Sequence, residues 1–120
     1  MCSTGELVGR IVHFPDKWWG FEAVGRSHHP AVCSSYHPGG YKAVMVKGTD
    51  LRSARYAYAQ VVVEPDEKNG LSKTTSFAIR PKVFSGQRIS VLDQIGSLGS
   101  EVLREIQQAL SDQFGVEVIE

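Results

Sequence analysis

A chain of 120 residues, 42% hydrophobic and 22% charged, has room for one core and enough polarity to dissolve, which excludes a disordered chain and two full domains. Thirteen Lys and Arg balance thirteen Asp and Glu, so any nucleic-acid ligand has to be held by a local basic patch rather than by an overall basic surface. The opening MCSTGELVGR lacks the apolar run of a secretion signal, and no apolar stretch approaches the roughly 18 residues of a membrane span, so the cytoplasm is the expected compartment and no membrane partner is implied.

In chain order, Glu6 to Phe14 alternates, with Leu7, Gly9, Ile11 and His13 on one side and Val8, Arg10, Val12 and Phe14 on the other. Period two with β-branched residues predicts a strand, stopped by Pro15-Asp16. Lys17 to Ser27 is a long connection carrying Trp18, Trp19 and Phe21. A second strand is expected over Pro30–Tyr36, a turn at Pro38-Gly39-Gly40, and a returning third strand over Tyr41–Val46. Thr49 to Ser53 is polar and reads as a loop, followed by a fourth, buried strand over Tyr56–Glu64 that carries Val61-Val62-Val63. Pro65 to Gly70 is a turn, and Thr74–Ile79 a fifth strand that Pro81 limits to an edge or an end.

The last element is a helix. Ser97 or Ser100 is placed to cap it, and Val102, Leu103, Ile106, Ala109, Leu110 and Phe114 recur at helical spacing. Arg104, Glu105, Gln107, Gln108 and Ser111 fall on the opposite, water-facing side, and Gly115 stands at the C-terminal stop. One amphipathic helix must bury its stripe against the sheet, which predicts a single α+β domain over residues 1–120: a strongly bent antiparallel sheet closed by a C-terminal helix. Cys2 and Cys33 imply no disulfide framework.

The densest group of functional side chains is His28-His29-Pro30-Ala31-Val32-Cys33 with His37. Spacings of four residues on an extended strand span about 13 Å, whereas zinc ligands converge within about 2.3 Å of one ion, so no metal site is expected. Lys47 to Ser53 offers Thr49 as a hydroxyl donor to a phosphate, with Lys47 or Arg52 to neutralise it. Trp18 and Trp19 are able to stack on unpaired bases or to cover a small core. Arg80-Pro81-Lys82 can supply the local positive patch.

Familiar enzyme signatures are missing from the chain: P-loop, GxSxG, HExxH and CxxC. Any catalysis must be one that few side chains support. RNA cleavage is such a reaction, because RNA brings its own nucleophile in the 2′-hydroxyl and leaves the protein to supply a base, an acid and a clamp.

The order of motifs resembles the MazF/PemK (Kid-like) toxins of bacterial toxin–antitoxin modules: Gly5-Glu6-Leu7-Val8, a long loop, His28-His29-Pro30-Ala31-Val32, a strand ending near Thr49, Gly70-Leu71-Ser72-Lys73, and Gly96-Ser97-Leu98 before the terminal helix. Each motif is short; their order from Gly5 to Gly115 carries the likeness. The resemblance implies an SH3-like barrel with a C-terminal helix, a homodimer, an acidic antitoxin as partner, and cofactor-free, metal-independent endoribonuclease activity on single-stranded RNA. Carried over by position, His29 stands where the family has arginine, Thr49 at its loop threonine or serine, and Arg80-Pro81 near its acidic or glutamine position. The implied site has His29 and Thr49 as catalytic residues, with Arg26, His28, Arg52, Arg80, Lys82, Trp18 and Trp19 on the RNA. The replacement of a permanently charged arginine by an imidazole keeps a second expectation open: a non-catalytic relative that binds a protein, or poisons one in the manner of CcdB-like toxins.

Overall fold

A computed structural model describes residues 7–19, 28–37, 42–50 and 60–115. Its strands are β1 (Arg10–Pro15), β2 (His28–His37), β3 (Lys42–Asp50), β4 (Gln60–Val63), β5 (Thr75–Ser85) and β6 (Gln94–Ser97). A 3-10 turn (Asp16–Trp19) follows β1, a short helix α1 (Gly86–Ser90) follows β5, and α2 (Ser100–Phe114) closes the described chain. The strands form one antiparallel sheet in the order β4-β5-β3-β2-β1-β6.

The sheet is curled, and its irregularities fall where they help it bend. Register shifts occur between Ile11 and Val12, between Cys33 and Ser35, and between Val46 and Gly48. Such bulges increase local twist and turn a strand out of its plane. The curl brings the last strand of the order back to the first pair: the Ser97 N–H of β6 donates to the Lys68 carbonyl in the β4–β5 connection at 2.9 Å. That connection is itself braced by Asn69. Its buried side chain accepts from the Asp66 and Leu71 amides and donates to the Glu64 carbonyl, so a polar turn packs into the seam with its hydrogen bonds made.

Both faces of the central strands are buried, because neighbouring residues on each strand feed different cores. Ile11, Val32, Val46, Phe77 and Ile79 meet Ile106 and Leu110 of α2 in one cluster. Val12, Phe14, Ala31, Cys33, Met45, Phe84 and Ile89 form the other, with Trp18 packed against it. At about 25 cal/mol per Å² of apolar surface removed from water, these clusters dominate the driving force for the fold.

The expected bent antiparallel sheet and amphipathic C-terminal helix are both present, and Gly115 adopts the left-handed φ of 67° that ends α2. Several local expectations need correction. Strand β1 begins at Arg10; before it, Val8 makes only an isolated bridge to Cys33. Thr49 is not in a loop, since β3 continues to Asp50, pairing Thr49 with Ser76; residues 51–53 lie outside the described residues. Pro81 does not end the fifth strand, which runs on to Ser85. It sits past Ala78, the last residue paired with β4, and beside the β3–β5 irregularity, where a missing N–H is tolerated. Neither Ser97 nor Ser100 caps α2: Gly99 occupies the N-cap without a side-chain bond, and Ser97 belongs to β6. Within α2, Phe114 is exposed, whereas Gln107 is buried instead of facing water. The turn at 38–40 lies outside the described residues.

Candidate functional site

Where β1 and β2 run side by side, the register pairs His13 with Pro30, Phe14 with His29 and Pro15 with His28. Cross-strand partners share a face, so His13 and Pro30 lie on the side of Ile11 and Val32, while His29 lies with Phe14 and Ala31. The rings of His13 and His28 meet at a centroid distance of 4.4 Å with their planes tilted by 39°. Both imidazoles are exposed, and His29 is half-buried. The His13 backbone N–H is held by the Asp93 carbonyl just before β6, at 2.9 Å.

The paired histidines border a pocket of about 190 Å³. From β2 come His28, His29 and Pro30, and from β3 comes Thr49. The β4–β5 connection supplies Ser72 and Lys73, with Thr75 at the start of β5; Gly70, Leu71 and Ile95 form the apolar part of the wall. Thr75 donates its hydroxyl to the Lys73 carbonyl at 2.9 Å, which fixes the backbone that carries the lysine. None of the described residues lining the pocket is acidic. Imidazole, ammonium and hydroxyl groups around a space this size can donate hydrogen bonds to an anion.

His29 and Thr49, singled out from the sequence, thus border one pocket together with His28. His13 and Lys73 join them without having been singled out. The alternation of β1 did place His13 on the Ile11 side, but only the register shows which part of β2 faces it. Lys73 enters the sequence argument only as the end of the Gly70–Lys73 segment.

Trp18, Arg80 and Lys82 lie elsewhere. Trp18 packs edge-on against Phe14 at 5.4 Å and tilts over Phe84 at 6.2 Å, with the Arg88 guanidinium 4.1 Å from its ring centre. Lys82 stands opposite Met45 and 5.8 Å from the Phe84 ring, which assigns it to the same cluster. Arg80 is exposed on β5 and is not among the described pocket residues, and Trp19 ends the 3-10 turn. Arg26 and Arg52 lie outside the described residues. His37, at the far end of β2, approaches the Ser35 hydroxyl at 3.4 Å. Cys33 is a buried free thiol, and burial pushes its pKa up to about 12, which keeps it protonated and unreactive. No described helix is long and apolar enough to cross a membrane.

No protein-family model matches this chain, and no curated protein matches its sequence.

Proposed function

We propose that this chain is a toxin-like endoribonuclease that cleaves single-stranded RNA in the His13–His28 pocket, without a metal, by using the RNA's own 2′-hydroxyl. The observation that carries the reading is the imidazole pair in ring contact at a pocket that Lys73 also lines and to which no described acidic residue contributes. In the reaction, one neutral imidazole takes the proton of the 2′-hydroxyl as its oxygen attacks phosphorus. The other, protonated, gives its proton to the departing 5′-oxygen as the P–O bond breaks. The products are a 2′,3′-cyclic phosphate and a 5′-hydroxyl, and Lys73 offsets the charge that grows on the phosphorane.

The order of motifs similar to MazF/PemK toxins supports the same substrate, and the near-closure of the sheet through the Ser97–Lys68 bond is in keeping with that family's SH3-like barrel. A homodimer and an acidic antitoxin belong to this proposal on the same ground. This reading gives the chemistry to His13 and His28, which meet ring to ring, ahead of His29, which borders the same pocket but is paired with Phe14 across the strands.

The test is incubation of the purified protein with a long unstructured RNA in excess chelator. Discrete fragments ending in 2′,3′-cyclic phosphate, lost in His28→Ala, support the reading. Intact RNA combined with growth arrest on expression would point instead to a protein target.

A further inference from the structure

We propose that Asn69 is a self-modification site, converted one-way to aspartate or isoaspartate by its own neighbour Gly70 and water. The closed seam shields the side-chain amide, opening of the seam exposes it to attack, and the product distorts the pocket wall whatever the pocket binds. Asn69 is the chain's only asparagine, and glycine follows it. With no Cβ, Gly70 puts nothing in the way of its own nitrogen as that nitrogen nears the asparagine side chain. In the reaction the Gly70 backbone nitrogen loses its proton and bonds to Cγ of Asn69. The Cγ–Nδ2 bond breaks, and Nδ2 takes up a proton and leaves as ammonia. Water then cleaves one of the two carbonyl–nitrogen bonds of the five-membered imide. One cut gives aspartate; the other reroutes the main chain through Cβ and Cγ as isoaspartate.

The folded chain holds both reacting groups still. Asn69 is 1% exposed. Its Oδ1 accepts from the Asp66 and Leu71 amides at 3.1 and 3.0 Å, and its Nδ2 donates to the Glu64 carbonyl at 2.8 Å. A tetrahedral Cγ with a departing nitrogen cannot keep all three bonds. The peptide that must turn is wedged against β6. A Cβ on Gly96 would stand 2.5 Å from the Asn69 carbonyl carbon, and the Ser97 N–H holds the Lys68 carbonyl at 2.9 Å. Two N–H donors on Oδ1 also stabilise the charge that attack places on that oxygen. Immobility outweighs this, because the donors help only once Cγ can swing onto the Gly70 nitrogen. The product does not fit the seam it forms in. An aspartate oxygen would face the Glu64 carbonyl, beside the Asp66 carboxylate that already takes the Asn69 N–H at 2.7 Å. Isoaspartate lengthens the main chain just before Leu71, Ser72 and Lys73, which line the pocket.

The experiment incubates the intact protein at mildly alkaline pH, in buffer and in unfolding urea. It follows ammonia release, whole-chain mass and isoaspartate at position 69 by peptide mapping. The unfolded chain should convert at least about tenfold faster than the folded one, because reaction in the fold waits for local opening. Gly96→Ala, whose Cβ presses on the Lys68 and Asn69 backbone, should convert at a rate between the two while still folded. If that variant does not fold, the native chain in urea below its unfolding transition gives the same readout, with conversion rising before the transition. Asn69→Asp, the aspartate product made directly, should melt below the native chain, and the isolated isoaspartate chain should show displaced Leu71, Ser72 and Lys73 amide resonances. Equal conversion of folded and unfolded chains overturns the proposal. So does a loosened seam that converts no faster than the native one, an Asn69→Asp chain as stable as the native, or an isoaspartate chain with native resonances.

Discussion

Gln107 of α2 donates its side-chain amide to the backbone carbonyl of Ser34 at 2.7 Å, joining the helix to the bulge of β2. The register shift between Cys33 and Ser35 takes Ser34 out of the regular ladder with β3, and the helix supplies a partner for its carbonyl. The Ser34 hydroxyl in turn donates to the Val44 carbonyl at 3.1 Å. Gln107 is buried between Leu103 and Leu110 of the same helix, which makes it a polar pin inside an otherwise apolar contact.

Replacing Gln107 by Leu keeps the volume but leaves the Ser34 carbonyl buried without that partner. An orphaned buried acceptor costs about 1–3 kcal/mol, so the urea midpoint should fall accordingly. Gln107→Glu should be worse near neutral pH, where a carboxylate would face a carbonyl oxygen, and should recover in part under acid conditions. Equilibrium unfolding of the two variants at pH 5 and pH 7.5 checks both statements.

The seam between β6 and the β4–β5 connection leaves no space for side chains. A Cβ on Gly70 would stand 2.3 Å from the Ile95 carbonyl oxygen, and Gly70 has a φ of +67°. A Cβ on Gly96 would stand 2.3 Å from the Lys68 carbonyl oxygen. Gly70→Ala combines a left-handed backbone with a backbone clash, each worth about 1–3 kcal/mol. Because Gly70 and Ile95 both line the pocket, the proposed RNA cleavage should slow as thermal stability falls. Gly99→Ala is the contrast: nothing lies within 4 Å of its added Cβ, and its melting temperature should move little.

The buried Cys33 thiol makes stability depend on alkaline pH. Its pKa rises from 9.0 to about 12 on folding, chiefly through burial. A raised folded value means the unfolded chain releases this proton first, so the stabilisation is complete below pH 9 and disappears as pH climbs towards 12. By about pH 10.5 the loss attributable to this group is roughly 2 kcal/mol. Tyrosines and lysines titrate over the same range, so the measurement is a difference: unfolding free energies of the native chain and of Cys33→Val from pH 8 to 10.5. The native chain should lose more stability than the variant over that interval.

Trp18 belongs to the second core, sandwiched against Phe14 and Phe84 with Arg88 over its face. Arg88→Ala should cost about 0.5–1 kcal/mol, the usual worth of an exposed cation–π contact, and shift the tryptophan emission. Trp18→Phe should lower the melting temperature while leaving the affinity for a single-stranded oligonucleotide within twofold. A large loss of RNA affinity without loss of stability would show instead that the indole stacks on bases.

What the sequence revealed follows from how local each signal is. Val102, Ile106 and Leu110 repeat at the helical period within a single element, so α2 was legible without any partner. The strands carried by Val and Ile were legible for the same reason. In contrast, β6 is Gln94-Ile95-Gly96-Ser97, whose only large apolar residue is Ile95; it becomes a strand because β1 and the Lys68 carbonyl hold its backbone. Lys47-Gly48-Thr49-Asp50 has a loop's composition and was drawn into β3 by pairing with β5. The pocket was half legible: a histidine cluster beside a proline stands out in the sequence, but the histidine it faces is set by a long-range register that no local pattern encodes.

On the proposed reading, that register also favours His28 over His29. His28 touches His13 ring to ring, whereas His29, although it borders the pocket, stands opposite the buried Phe14. General acid–base groups contribute about 10²–10⁴ in rate, so His13→Ala and His28→Ala should each slow RNA cleavage by factors in that range, and the double variant by little more than the worse single one, because the pair acts as a unit. His29→Ala should slow it less than tenfold. The check is a single-turnover cleavage assay of the native protein and the four variants. A His29 variant as impaired as the His28 variant would return the catalytic role to the residue beside Pro30.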